Sequence, residues 1–352
     1  MSEQSTPGVA GALVARLAAA GRQVDSGSFT IDVEQARVRL REQRLADAHA
    51  WVALIVEAAS LAGSPTVYFQ LGAQRSSARF KGPPLDPARL EQLFAAAFVD
   101  VDRLDEAQRM PARVLERLAI AANAALTLDC SAVLIECHTA QGQRRRMTVE
   151  PDGPIAVEAG EGEPDDEIRF VLVGEGRDSE RANAELALLR QRCRWAKPKI
   201  DVDGTAINET RAAALGAGSR MAISDGHGKA IGLARLGHGG QPGRLLLLTN
   251  GVLAETLPLP EAPTDFLALV DVDLRKDLAQ SRVVRDAAFD RMLIGVRGAW
   301  ERLGRRPATT ATQRKAVLKE VHANRPDFMT PTRAFVVLLA LTLIALLVLW
   351  LR

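Results

Sequence analysis

The run Ala334–Leu351, AFVVLLALTLIALLVLWL, constrains this chain more than any other stretch, with Thr342 as the only polar residue among eighteen. As an α-helix rising about 1.5 Å per residue it spans roughly 27 Å, close to the hydrocarbon thickness of a bilayer. A helix buried in a soluble core would carry a polar stripe, and this one is apolar all round. It is therefore expected to cross a membrane. Arg333 and Arg352 bracket the span, and Trp350 suits the far interface. Residues 301–333 carry eight Lys/Arg against Glu301, Glu320 and Asp327, and beyond the span only Arg352 is charged. The positive-inside rule then keeps the N-terminal body in the cytosol. No basic stretch leads into a long apolar core at the N-terminus, so no signal peptide is expected. The expectation is a single-pass tail anchor in the inner (cytoplasmic) membrane.

The 333 residues before the anchor must be a body of ordinary globular kind. Apolar residues make up 47% of the chain and charged ones 25%, close to the average for packed domains. The length suffices for two domains with separate cores. A net charge of +2 and an aromatic fraction of 4% supply neither the basic field nor the stacking platforms of a nucleic-acid binder. Cys130, Cys137 and Cys193 are odd in number and lack metal-ligand spacing, so no disulfide framework or zinc site is expected.

Residues 1–27 read as a flexible lead-in rich in Ser, Gly and Ala. Two helices follow over residues 29–62. In the second, Trp51, Leu54, Ile55, Ala58 and Leu61 recur at helical spacing. Gly63 closes that helix, and Pro65 follows. TVYFQL (66–71) and SARF (77–80) read as strands, residues 86–98 as helix, 111–128 as a long apolar helix, and AVLIEC (132–137) as a strand. RRRMTV, PIAVEA and EIRFVLV are further strands. Between Asp152 and Glu167 lie seven acidic residues and no basic one, which read as a solvated loop. A helix from Ser179 to Cys193 opens a second region of strands, and residues 280–303 form a last helix. The rhythm of helices followed by antiparallel-looking strands, twice over, predicts an α+β fold. The expected divisions are 28–178, 179–303, a basic linker over 304–333, and the anchor at 334–351.

The order of LIVEAASLAG, TVYFQL, the Gly82 turn, LEQLF, LAIAANAAL and AVLIEC resembles the GHKL, or Bergerat-fold, ATPase domain. That domain is shared by the ninety-kilodalton heat-shock chaperone, MutL mismatch-repair proteins, gyrase and histidine kinases. ALLRQRCRWAKPKIDVDGTAIN and DVDLRKDLAQSRVVRD are similar to stretches of the chaperone's middle domain. The resemblance covers about residues 28–300. It implies an α/β sandwich followed by a smaller α+β domain, with ATP and magnesium held in the active members.

The positions that carry ATP chemistry in that family hold other residues here. Where the family's first helix places a water-activating Glu, a magnesium-holding Asn and an Asp, this chain has Ala53, Glu57 and Ser60. Alanine cannot act as a general base, although Glu57 could hold a cation. The adenine-binding motif corresponds to Phe80, Lys81 and Gly82 followed by two prolines, which remove backbone donors. The phosphate-cradling glycines correspond to Ala119 and Ala121, in a run that favours uninterrupted helix. Arg282 falls where the chaperone's middle domain presents an arginine to the γ-phosphate. The resemblance then implies a chaperone-like protein that binds protein partners, with no cofactor and no ATP turnover. The rival is an active ATPase with a rebuilt pocket that uses ATP and magnesium. A signalling adaptor is a third reading, but no phospho-acceptor His with a dimerisation helix stands out.

Other motifs are weaker. Asp225-Gly226-His227-Gly228-Lys229 lacks the first glycine of a phosphate loop and has Ala230 where the metal-binding hydroxyl belongs, so it reads as a hairpin tip. His49, His138, His227, His238 and His322 are scattered. Arg144, Arg145 and Arg146 read as an exposed strand edge.

Overall fold

The computed structural model describes residues 47–305 apart from 83–86, 100, 129, 175–178, 217, 238–239, 278–279 and 281. The lead-in, the helix expected over residues 29–45, most of the basic linker and the anchor with Arg333, Trp350 and Arg352 lie outside the described residues. By its internal contacts the chain divides into Met1–Trp300 and Glu301–Arg352. Among the described residues no helix is long and apolar enough to cross a membrane.

The fold is α+β with two mixed sheets. The first has eight strands in the order β5-β4-β3-β6-β2-β1-β7-β8. These are β1 (Thr66–Gln70), β2 (Arg75–Lys81), β3 (Cys130–His138), β4 (Gln143–Val149), β5 (Ile155–Glu161), β6 (Glu167–Gly174), β7 (Lys199–Val202) and β8 (Thr205–Ala206). The second has the order β12-β11-β13-β10-β9, from β9 (Ser219–Ser224), β10 (Ala230–Leu236), β11 (Arg244–Thr249), β12 (Val252–Pro258) and β13 (Phe266–Asp271). The longer helices are α1 (Trp51–Leu61), α3 (Glu106–Ala125), α4 (Ser179–Arg192) and α6 (Ala287–Arg305); α2 (Leu93–Ala96) and α5 (Arg211–Leu215) are short.

Alternation in the strands sets one face of the large sheet against α1 and α3. Val67, Phe69, Phe80, Val133, Ile135, Met147, Phe170 and Leu172 are buried in a single core with both helices. Their cross-strand partners match in register, Val67 with Phe80, and Ile135 with both Met147 and Phe170. The opposite face carries Arg79, Glu136, Arg146 and Arg169, so a one-residue slip would bury charges.

Four expectations change. Helix α1 is central rather than amphipathic: Val52, Ala53, Val56, Glu57 and Ala59 are buried along with the predicted inward face. A long-range partner covers the second face, which helical spacing within one segment cannot reveal. Helix α3 starts at Glu106 rather than Pro111, because Asp105 caps it by accepting from the Gln108 N–H at 3.0 Å. Proline is tolerated near the start, though it removes a donor from the ladder. The sheets are also not wholly antiparallel, since β1 pairs in parallel with β7 and β11 with β13. Each partner returns from a separate excursion of chain, which is how parallel neighbours must be joined. The acidic run is divided: its middle is edge strand β5, and Glu167 is buried in β6.

The two sheets share one structural unit. Residue 179, the expected start of a second domain, opens α4, and beyond it β7 and β8 complete the first sheet. Helix α4 packs on both α1 and β12. Val252 of β12 lies in the large core, and the Arg192 guanidinium donates to the Leu253 carbonyl at 3.0 Å. The smaller core centres on Trp195, Leu215, Leu248 and Leu269.

Three positive-φ residues are needed for this junction. Helix α1 ends with Gly63 at φ +70°, where the Ser64 N–H donates to the Ala59 carbonyl at 2.9 Å and the Gly63 N–H to Ser60 at 3.2 Å, the paired bonds of a Schellman cap. Asn250 and Gly251, at φ 51° and 86°, turn β11 into β12. A Cβ on Gly251 would stand 3.2 Å from both Ala196 Cα and Ser60 Oγ. Gly251→Ala should therefore cost at least about 1–2 kcal/mol from backbone strain alone, read as a lower denaturant midpoint. A midpoint equal to wild type would overturn this account of the turn.

Candidate functional site

The positions singled out by the family resemblance are spread over α1, β2 and its end, α3 and the segment before α6, and those at the α1–α3 interface keep little chemistry. Ala53 is on α1, Ala119 and Ala121 are mid-helix in α3, and all three are buried. In mid-helix, the N–H groups of Ala119 and Ala121 are committed to the ladder, so they cannot cradle a phosphate as a helix start does. Phe80 is buried in the core. Gly82 follows β2, and a Cβ there would meet the Ala62 side chain at 2.8 Å. Close approach to the end of α1 therefore requires glycine at this position. Ser60 sits in the last turn of α1, and its buried Oγ makes no hydrogen bond among the described residues.

Glu57 is the exception, because it carries a charge into this interface. It is 1% exposed. Its Oε1 accepts from the ammonium of Lys276, and its Oε2 lies 3.1 Å from Arg117 Nε. Both cations are buried, and Arg117 also reaches Glu116 and Gln280 at 3.4 Å. Burial lowers Lys276 below the usual ammonium range, and Arg117 and Arg192 push the same way, while Glu57 opposes them. Arg113 on α3 pairs with Asp273 nearby. The segment between β13 and α6 is thus stitched onto α1 and α3 by Asp273, Lys276 and Gln280. Arg282 is not part of this cluster. Its backbone N–H bonds Asp277 Oδ1 at 3.1 Å, and its side chain is exposed.

Arg117 and Lys276 were not legible as site residues from their chemistry alone. Arg117 did leave a trace: a lone cation on the face of α3 that carries Val114 and Leu118. Glu57 left the matching trace, an isolated acid inside an apolar helix. Lys276 had none, since its partner lies 219 residues away.

A second buried acid, Glu185 on α4, is fully enclosed. It accepts from Trp51 Nε1 at 2.8 Å and Ser76 Oγ at 3.1 Å, with Arg181 Nε 3.7 Å away. Burial raises its carboxyl above the usual range, against the pull of Trp51, Arg181 and Ser76. This ties α1, β2 and α4 together and stacks Trp51 on Phe170, with centroids 5.4 Å apart.

The remaining candidates are occupied locally. Asp225 Oδ1 accepts from the backbone of His227 and Lys229, each at 2.9 Å, closing the β9–β10 hairpin. Arg146 pairs with Glu136, and Arg145 with Glu91. Burial pushes the Cys137 and Cys193 thiols up to about 12, so neither supplies a thiolate near neutral pH. Among the described residues no group of His, Cys, Asp or Glu could hold a metal; His238 and His322 lie outside them. Compared with known proteins, the chain matches no family model and no curated protein.

Proposed function

We propose that this chain is a tail-anchored, chaperone-like protein with a degenerate GHKL domain that binds protein partners at the cytosolic membrane face without turning over ATP. One observation carries the reading. The positions that would form a nucleotide pocket are filled by the protein itself, with Lys276 and Arg117 neutralising Glu57 where a metal and phosphates would be held. A nucleotide would have to break that buried cluster. The anchor rests on the sequence of residues 334–351 and its basic flank.

The test uses the full chain. Magnesium-ATP should neither raise the melting temperature nor be hydrolysed, and alkaline carbonate should leave the chain in the membrane fraction. Saturable stabilisation by magnesium-ATP with turnover would sink the pseudo-ATPase reading and favour the active rival. Release by carbonate would sink the anchor.

A further inference from the structure

A cleft of about 250 Å³ opens between α3 and the 3-10 turn Pro87–Gln92. Its floor is apolar, built from the buried Ala96, Ala112 and Leu115, and Val99 and Leu104 form its walls. Val99 is 41% exposed, a large apolar side chain left facing solvent at the mouth. The volume is instructive, since an apolar cavity of about 150 Å³ already takes benzene. This one has room for a ligand of roughly ten heavy atoms.

The rim is polar and carries a cation. Arg89, Gln92 and Gln108 line it. Arg89 is partly buried and makes no ion pair or hydrogen bond among the described residues. Glu91, two residues along the same turn, is taken by Arg145. Leu90, only 1% exposed, pins the turn, so the guanidinium is held at the cleft rather than on a free loop. A planar, permanently charged fork beside an apolar recess matches a carboxylate carried on an apolar body.

We propose that this cleft is a binding site for a small monocarboxylate with an aryl or short alkyl body. The carboxylate pairs with Arg89, and the apolar body lies on Ala96, Ala112 and Leu115. The proposal does not depend on the nucleotide or membrane readings.

The experiment titrates full-length protein with 3-phenylpropionate, 3-phenylpropanol and 3-phenylpropylamine by calorimetry at neutral pH. The carboxylate should bind saturably and at least about tenfold more tightly than the alcohol, with the amine weakest. Arg89→Gln should lose that preference while leaving alcohol binding and the unliganded melting temperature as in wild type. Equal affinity for carboxylate and alcohol in the wild type would overturn the proposal, as would no saturable binding of the carboxylate. Retention of the full carboxylate preference by Arg89→Gln would overturn it too.

Discussion

Replacing Glu57 with alanine should destabilise the protein by about 3–5 kcal/mol, because it leaves Lys276 and Arg117 as buried cations without their shared counter-charge. Their side chains are 2% and 9% exposed, so water cannot replace the lost carboxylate. The cost is mainly that of the stranded charges, not the worth of the interaction itself. That distinction is testable. A Glu57→Leu/Lys276→Met double variant removes one charge of each sign, leaves Arg117 with Glu116 at 3.4 Å, and should recover the part of the loss that comes from Lys276. Denaturant unfolding followed by tryptophan fluorescence measures both. If Glu57→Ala costs under about 1 kcal/mol, the cluster is not closed to water as described. If the double variant is as unstable as the single one, the cluster contributes more than charge balance.

The Glu185 site makes a second prediction, in which pH separates two variants. Glu185→Ala strands the Trp51 N–H in the core, at about 1–3 kcal/mol, while the Ser76 hydroxyl keeps the Gly72 carbonyl at 3.3 Å. Glu185→Gln keeps an acceptor for Trp51 and carries no charge. Burial holds the pKa of Glu185 in the folded state above the ordinary carboxylate range. The folded state therefore holds the proton more tightly than the unfolded chain. The contribution to stability is fully present below the unfolded value and is lost as pH rises through the folded one. Wild type should accordingly gain stability relative to Glu185→Gln as pH falls toward 4.5. A difference independent of pH across that window, or one of opposite sign, would refute the placement of this carboxyl.

Both sites explain how far the sequence could be read. The apolar spacing of Trp51, Leu54, Ile55 and Ala58 identified α1, and alternation in TVYFQL and AVLIEC identified strands with Val67, Phe69, Val133 and Ile135 inward. Those patterns are local, since each residue's face follows from its neighbours two to four positions away. The hairpin turns at Asp225–Lys229 and Asn250–Gly251 are equally local, set by side-chain acceptors and positive φ. The starts of helices were less legible, as Asp105 shows. A cap outweighed the proline that had marked the boundary.

By itself the sequence determined an α+β body, the period and facing of its elements, and an apolar run long enough to span a bilayer. Only the tertiary structure decided that α1 is enclosed on both sides, that β7 joins the sheet begun by β1, and that Lys276 meets Glu57. Sheet order and ion pairing across 219 residues depend on which surfaces meet after the chain has closed long loops. A charge in an apolar segment signals that a partner must exist, because burying it alone is too costly. Which residue answers is set by the geometry of the closed fold.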